Sequence, residues 1–322
     1  TVMSAYIQYE SGITQIDARY IRPGLAAIFL LIENGRAALI ETGCNASLPF
    51  VLNVLAQQNI SPERIDYVIP THVHLDHAGG VGSMMRAFPN ARLVVHPRGA
   101  RHMIDPSKLV EGATAVYGEE QMGLLYGEIL PVDANRVIEA TDNLVLHLSD
   151  RPLLFLDVPG HARHHVAIVD EKSDHIFTGD SFGLTFSELD GERGRFVYLT
   201  TTPVQFEPDA MHTSIDRLLS YQPSGMFVTH FGELRDVERY GDILHHQIDV
   251  FVDIARQHRD QQSRTERHHA IRNALGQFAV AQARVVGCAL AKEKILEILA
   301  HDLELNAQGL GVWLDTRDVV AS

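Results

Sequence analysis

The stretch THVHLDHAGG, residues 71–80, follows directly on the short apolar run DYVIP at residues 66–70. Within six residues it places His72, His74, Asp76 and His77. In an extended or turning segment His72 and His74 have the same side-chain parity, so both imidazoles can face one ion, while the next turn can redirect Asp76 and His77 toward a second. DYVIP reads as a buried strand, and the loop beyond a strand's carboxyl end is where a scaffold fixes active-site groups yet leaves them accessible. The bland alternative is a polar surface loop with satisfied histidines. Four donor groups packed this densely at a strand end favour metal.

Working outward, three more residues stand at strand-to-loop positions. His161 follows an apolar run and the breaker pair Pro159-Gly160, Asp180 follows HIFTG, and His230 ends MFVTH. One such histidine alone would more often pack or cap, but together the three support convergence on one sheet edge. Gly79 and Gly80 permit a close turn after His77, and Gly160 and Gly179 let backbone pass near the site.

The surrounding chain alternates strands and helices. Apolar runs at residues 28–33 and 37–41 flank Asn34-Gly35, a strong hairpin signal. Residues 47–57 read as a helix with Pro49 in its first turn. Residues 80–88 and 208–220 read as further helices, and 103–128 as a helical or irregular insertion. Strands are expected at 92–96, 143–147, 153–158, 165–170, 175–178 and 225–230. Two strand-rich halves with helices outside predict a four-layer αβ/βα sandwich, metals at one edge of the inner sheets. After His230 the texture changes to helix-forming stretches at 235–259, 267–286 and 292–303, with a less regular terminus around GLGVWLDTRDVV. The expected organisation is a catalytic domain over residues 1–235 and a mainly helical C-terminal extension over 236–322, which either packs over the pocket or forms a homodimer contact.

Composition narrows the classes. An apolar fraction of 45% over 322 residues supports a full-sized core. The two cysteines, Cys44 and Cys288, form no CxxC pattern, so neither a disulfide framework nor a thiolate site is suggested. With 41 acidic against 27 basic side chains the formal charge is −14, which opposes binding to a phosphate backbone, and no nucleic-acid partner is expected. The longest apolar stretch, residues 25–32, falls short of the roughly 18 residues of a membrane span. TVMSAYIQYESG has no basic n-region or apolar h-region, so a cytoplasmic location is expected, although a start at Thr1 leaves a removed leader open.

With its ordered downstream residues, the HxHxDH cluster resembles the metallo-beta-lactamase superfamily, in the broad class of glyoxalase II-like thioesterases and metal-dependent lactonases. The resemblance covers roughly residues 26–230. It implies one ion held by His72, His74 and His161, a second by Asp76, His77 and His230, and Asp180 as the bridging carboxylate. Two divalent ions are implied, zinc favoured, with iron or manganese open. A hydroxide between them would attack a small ester, lactone or thioester, with Asp76 orienting the nucleophile and returning a proton. A non-heme diiron oxidoreductase or oxygen sensor on the same fold, a phosphodiesterase and a silent metal-binding regulator remain alternatives. Asp180 stands where many penicillin-cleaving relatives use cysteine, and the lactonases' HTPGH-like segment reads HARHH here, with His164 in place of glycine.

Around the expected ligands, Glu41 in ETG resembles the family's early DTG-like turn, available either to order the ligand loop or to sit in an ordinary ion pair. Thr71 is expected to stabilise the loop. Arg163 is available for an anionic substrate group and His165 for a hydrogen bond near the ligands, against solvation and local packing. Phe182 and Phe186, with Leu184 and Leu189, either line a substrate entrance or pack in their loop. Tyr117, Met122, Leu125 and Tyr126 are available as another wall. His96, His175, His245, His246, His268 and His269 are assigned to surface or core.

Overall fold

The computed structural model describes residues 6–320, with side chains to residue 316; residues 1–5, part of the stretch read above for a leader, lie outside the described residues. The chain divides into two compact units. The first comprises Thr1–Asp157, His164–Gly179 and Thr229–Gly232, the second Val158–Arg163, Asp180–Val228 and Glu233–Ser322.

In the first unit, β1 (Tyr6–Tyr9), β2 (Ile13–Asp17), β3 (Ala27–Glu33), β4 (Arg36–Ile40), β5 (Ile65–Ile69), β6 (Arg92–Val95) and β7 (Val137–Glu139) form one sheet in chain order. It is antiparallel up to β4 and parallel from β4 to β7. The expected hairpin joins β3 to β4 with Glu33 opposite Arg36, and Asn34 and Gly35 take the left-handed conformation that a two-residue hairpin requires, φ 48° and 72°.

Parallel pairing demands crossovers. α1 (Leu48–Gln57) links β4 to β5; α2 (Leu75–Ala78) and α3 (Val81–Ala87) link β5 to β6. α4 (Pro97–Ile104), α5 (Ser107–Tyr117) and α6 (Glu119–Leu125) link β6 to β7, so the 103–128 insertion is helical. Val51, Val54 and Leu55 put one stripe of α1 into a core shared with Leu39, Val68, Met84 and Phe88. β3 and β4 read as unbroken apolar runs rather than alternating ones because both their faces are covered.

Four more strands of this unit, β8 (Val145–Leu148), β9 (Arg151–Asp157), β10 (Val166–Asp170) and β11 (His175–Gly179), pair antiparallel. Phe29 on β3 meets Phe177 on β11 edge to face at 5.2 Å, joining the inner faces of the two sheets. The β1–β2 hairpin was not expected from sequence. β2, ITQID, is buried along its whole length, Thr14 and Gln15 included, and so has no polar alternation to reveal it.

The second unit contains β12 (Leu184–Thr185), β13 (Val197–Tyr198), α7 (Pro208–Leu219), β14 (Gly225–Val228), all of β15 (Gly232–Leu234) but its first residue, α8 (Val237–Gln257), α9 (Arg264–Val286), α10 (Lys292–Ile298) and α11 (Ala300–Val320). Within the first unit the second sheet runs β11-β10-β9-β8, and the fold class is a mixed αβ/βα sandwich with additional C-terminal helices α8–α11. The terminus GLGVWLDTRDVV, expected to be less regular, instead continues α11 to Val320. Its first glycine serves contact: a Cβ on Gly309 would stand 1.5 Å from the Thr201 carbonyl oxygen. One turn earlier Asn306 clasps the same segment, accepting from Thr201 N at 2.7 Å and donating to Leu199 O at 3.0 Å.

One buried ion pair stands out in the first unit. Arg151 is 1% exposed and donates Nε to Asp170 Oδ1 at 2.8 Å and Nη1 to the Ser11 carbonyl at 2.6 Å. Removing only the cation would leave the Asp170 carboxylate buried without its partner. Arg151→Leu is therefore expected to cost about 3–5 kcal/mol, and adding Asp170→Asn to recover part of that loss. Denaturant midpoints of the two variants measure this, and equal destabilisation by both would contradict it.

Candidate metal centre

β5 ends at Ile69, and the chain turns through Thr71–His74 into the short α2, whose first turn carries Asp76 and His77. His72 Nε2 and His74 Nδ1 come within 3.0 Å with their rings 76° apart, as two donors converging on one point. His230 follows β14, and its Nε2 lies 3.1 Å from Asp76 Oδ2 and 3.3 Å from His77 Nε2. The third edge, His77 Nε2 to Asp76 Oδ2, is 3.3 Å. A tetrahedral ion with bonds of about 2.0–2.1 Å separates its donors by about 3.3 Å, so this triangle has the size that a zinc-class ion requires.

The outward nitrogens of these imidazoles are held too. His230 donates Nδ1–H to the Leu25 carbonyl at 2.7 Å, and His77 donates Nδ1–H to Glu41 Oε2. His72 Nδ1 lies 3.0 Å from Thr71 Oγ1, whose hydroxyl in turn donates to Glu41 Oε2 at 3.1 Å. Glu41 is fully buried and also accepts from Thr71 N at 2.7 Å and Thr229 Oγ1 at 2.8 Å. One carboxylate thus fixes the segments carrying His72, His77 and His230, leaving each Nε2 lone pair turned inward. Glu41 does so from a left-handed backbone, φ 72°, a conformation that costs of order 1 kcal/mol for a non-glycine residue. Burial alone would raise the Asp76 carboxyl, but His77 and His230 outweigh it and hold the group well below the usual carboxylate range.

In the second unit, His161 is fully buried with Nδ1 3.5 Å from the Thr200 carbonyl, and its Nε2 lies 3.5 Å from Asp180 Oδ2. The segment before it is seated on α7: Ser214 donates to the Pro159 carbonyl at 2.5 Å, and Glu207 N to the Gly160 carbonyl at 2.8 Å. Gly160, at φ 132°, passes so close to Met211 that a Cβ would lie 2.5 Å from its Cα. Within the first unit, the donor atoms of Asp76, His77 and His230 fall within 4.8 Å of one another. The Asp76, His77 and His230 group is thus a candidate metal-binding site within one unit, and its nitrogen and oxygen donors fit zinc, iron or manganese.

A sequence model of the metallo-beta-lactamase superfamily matches residues 21–239. The chain belongs to this superfamily. The metallo-beta-lactamase fold-containing protein ST1585 of Sulfurisphaera tokodaii is 26% identical over 214 residues, 65% of this chain and 74% of that protein. Its crystal structure superposes with a TM-score of 0.66, covering 93% of this chain and 98% of the archaeal one. Hydroxyacylglutathione hydrolase 1 of Vibrio vulnificus is 26% identical over 48% of this chain and 46% of its own length. The acyl-coenzyme A thioesterase MBLAC2 of Gallus gallus is 28% identical over 53% and 62%. The chain thus matches under two thirds of each of these two hydrolases.

Other residues singled out from the metallo-beta-lactamase pattern sit as follows. His165 is fully buried and stacks on His72 with ring centres 4.6 Å apart. Arg163, with 53% of its side chain exposed, pairs with Glu207 at 2.7 Å. Phe182 and Phe186 are 0% and 1% exposed, and Phe186 packs on Phe196 within the second unit. Sequence reasoning did not find Thr229, although the repeated Thr-His pairs at 71–72 and 229–230 were a signal, and it noted His164 in place of glycine without giving it a role; its Nδ1 accepts from Val73 N at 3.3 Å. Tyr126 joins the first-unit core, donating to or accepting from Tyr20 at 2.6 Å, with its phenol pushed far above the usual range by burial and by the nearby Tyr20 and Asp76.

Proposed function

We propose that the protein is a dinuclear metallohydrolase acting on small thioesters. The observation that carries hydrolysis is the first unit's donor group of Asp76, His77 and His230, in which a carboxylate rather than a thiolate joins the imidazoles. Hydroxyacylglutathione and acyl-coenzyme A, the substrates in the names of two relatives, share an S-acyl bond, which supports thioester over lactone or phosphodiester. His72, His74 and His161 would hold one ion, Asp76, His77 and His230 the other, and Asp180 would stand between them. When bound, two such ions would lower the pKa of water and polarise the acyl carbonyl.

The chain's own groups do the rest. Glu41 keeps His77, and through Thr71 His72, in the tautomer that offers Nε2. Asp76 keeps 19% of its side chain exposed beside fully buried His77, and would therefore take the proton of the attacking water at a carboxylate oxygen and return it to the departing sulfur. Burial of His72, His77 and His161 limits water around the reacting atoms.

Metal content and turnover should be measured on the same anaerobically purified protein with an S-acyl glutathione, an acyl-coenzyme A, a small lactone, a phosphodiester and a beta-lactam. About two divalent ions per chain with preferential thioester turnover is the expected result. Lactone or phosphodiester turnover without thioester turnover would move the substrate class, and iron with oxygen-dependent turnover alone would replace hydrolysis by the redox reading.

A further inference from the structure

A second cluster of imidazoles and carboxylates lies wholly within the second unit, on α7 and α8. His212 and Asp216 stand one turn apart on α7, and His245 and Asp249 one turn apart on α8. Their pairing crosses between the helices. His212 Nε2 lies 3.2 Å from Asp249 Oδ1, and His245 Nε2 lies 2.9 Å from Asp216 Oδ1. An ionised carboxylate only accepts, so each Nε2 carries the hydrogen and each Nδ1 presents a lone pair. The two Nδ1 atoms face each other at 2.6 Å, with the rings 9° from parallel. Lone pairs at that separation repel unless a positive charge lies between them.

An imidazole that gives one N–H to a carboxylate and turns its other nitrogen to a shared centre has the arrangement of a metal-ligating histidine. We infer that His212 and His245 form a separate mononuclear site for a divalent transition-metal ion of the zinc–copper class, oriented by Asp249 and Asp216 and completed by water. Bonds of about 2.0–2.1 Å meeting near a right angle set two nitrogens about 3 Å apart. The ring centres lie 4.9 Å apart, so the two lone pairs point almost straight at each other; to meet at an ion the rings must open by a few tenths of an ångström and swing by roughly 45°, and side chains 29% and 25% exposed have room to turn. The surroundings are acidic. His212 and Asp249 also line a cavity of about 290 Å³ with Asp209, Arg256 and Trp313, and the Arg256 guanidinium is drawn over the Trp313 ring at 5.9 Å. Because Ser214 on α7 holds the Pro159 carbonyl next to the His161 segment, an ion tying α7 to α8 would stiffen the support of that segment.

The test uses protein already loaded at its dinuclear centre and freed of excess metal, titrated with zinc and, for spectroscopy, with copper. Wild type is expected to take up one further ion per chain, with copper showing hyperfine splitting from two nitrogens. His212→Ala and His245→Ala are each expected to weaken that uptake at least tenfold while leaving turnover in place. Asp216→Asn combined with Asp249→Asn should weaken it by roughly 10–100-fold. No uptake beyond the catalytic pair would overturn the site and leave a shared proton as the charge between the rings. Uptake unchanged in both histidine variants would overturn it equally.

Discussion

Asp180→Ala is expected to lower kcat/KM for any hydrolysed substrate by roughly a thousandfold, and metal content to fall from about two ions per chain to about one. Lewis-acid stabilisation by a second ion is worth several kcal/mol, and about 4 kcal/mol corresponds to three orders of magnitude. Asp180 closes the HIFTG strand β11, is 5% exposed, and brings a carboxylate oxygen to 3.5 Å from His161 Nε2. It is also the carboxylate expected to bridge the two proposed ions. A shared carboxylate lost from such a place should release the ion with fewer remaining protein ligands first. Asp180→Asn separates charge from shape: it keeps the volume and one good acceptor but bridges two cations poorly, so it should fall between wild type and the alanine variant. Elemental analysis alongside kinetics checks the prediction, and near-normal turnover with unchanged metal content would remove Asp180 from the centre.

Much of this candidate centre is legible in the sequence because its expected ligands are punctuation. His72, His161, Asp180 and His230 each stand where an apolar strand stops, and strand ends are visible as apolar runs broken by proline, glycine or threonine. The supporting groups are harder to read. Glu41 shows only as an acid after a strand, and its role depends on Thr71, His77 and Thr229 arriving from three separate stretches of chain, a fact of topology rather than of spacing. His245 reads as one more histidine on an amphipathic helix, because its partner His212 lies 33 residues away on another helix. Glycine misleads at the C-terminus for a related reason. Gly309 lowers local helix propensity, yet the close approach of the Thr201 carbonyl requires a residue without a Cβ there, and tertiary packing overrides the propensity.

Glu41→Gln should weaken metal affinity by about 10–100-fold with a comparable loss of turnover, the usual effect of removing a partner that orients ligating histidines. The substitution is nearly isosteric, so it tests charge rather than packing. As a carboxylate Glu41 can accept from Thr71 N, Thr71 Oγ1, Thr229 Oγ1 and His77 Nδ1 together. A neutral amide offers one acceptor oxygen, and its NH2 would meet at least one hydrogen that now points at Glu41. His77 then loses the anion that favours Nδ1–H, and its inward Nε2 becomes a poorer donor to an ion. The pattern of loss is diagnostic. If Glu41 positions ligands, adding excess zinc to the Gln variant should restore much of the turnover, because a weakened site can still be filled by mass action. If Glu41 were only a structural ion pair, its loss would appear as a lower unfolding midpoint that saturating metal does not offset, with metal affinity per folded molecule unchanged.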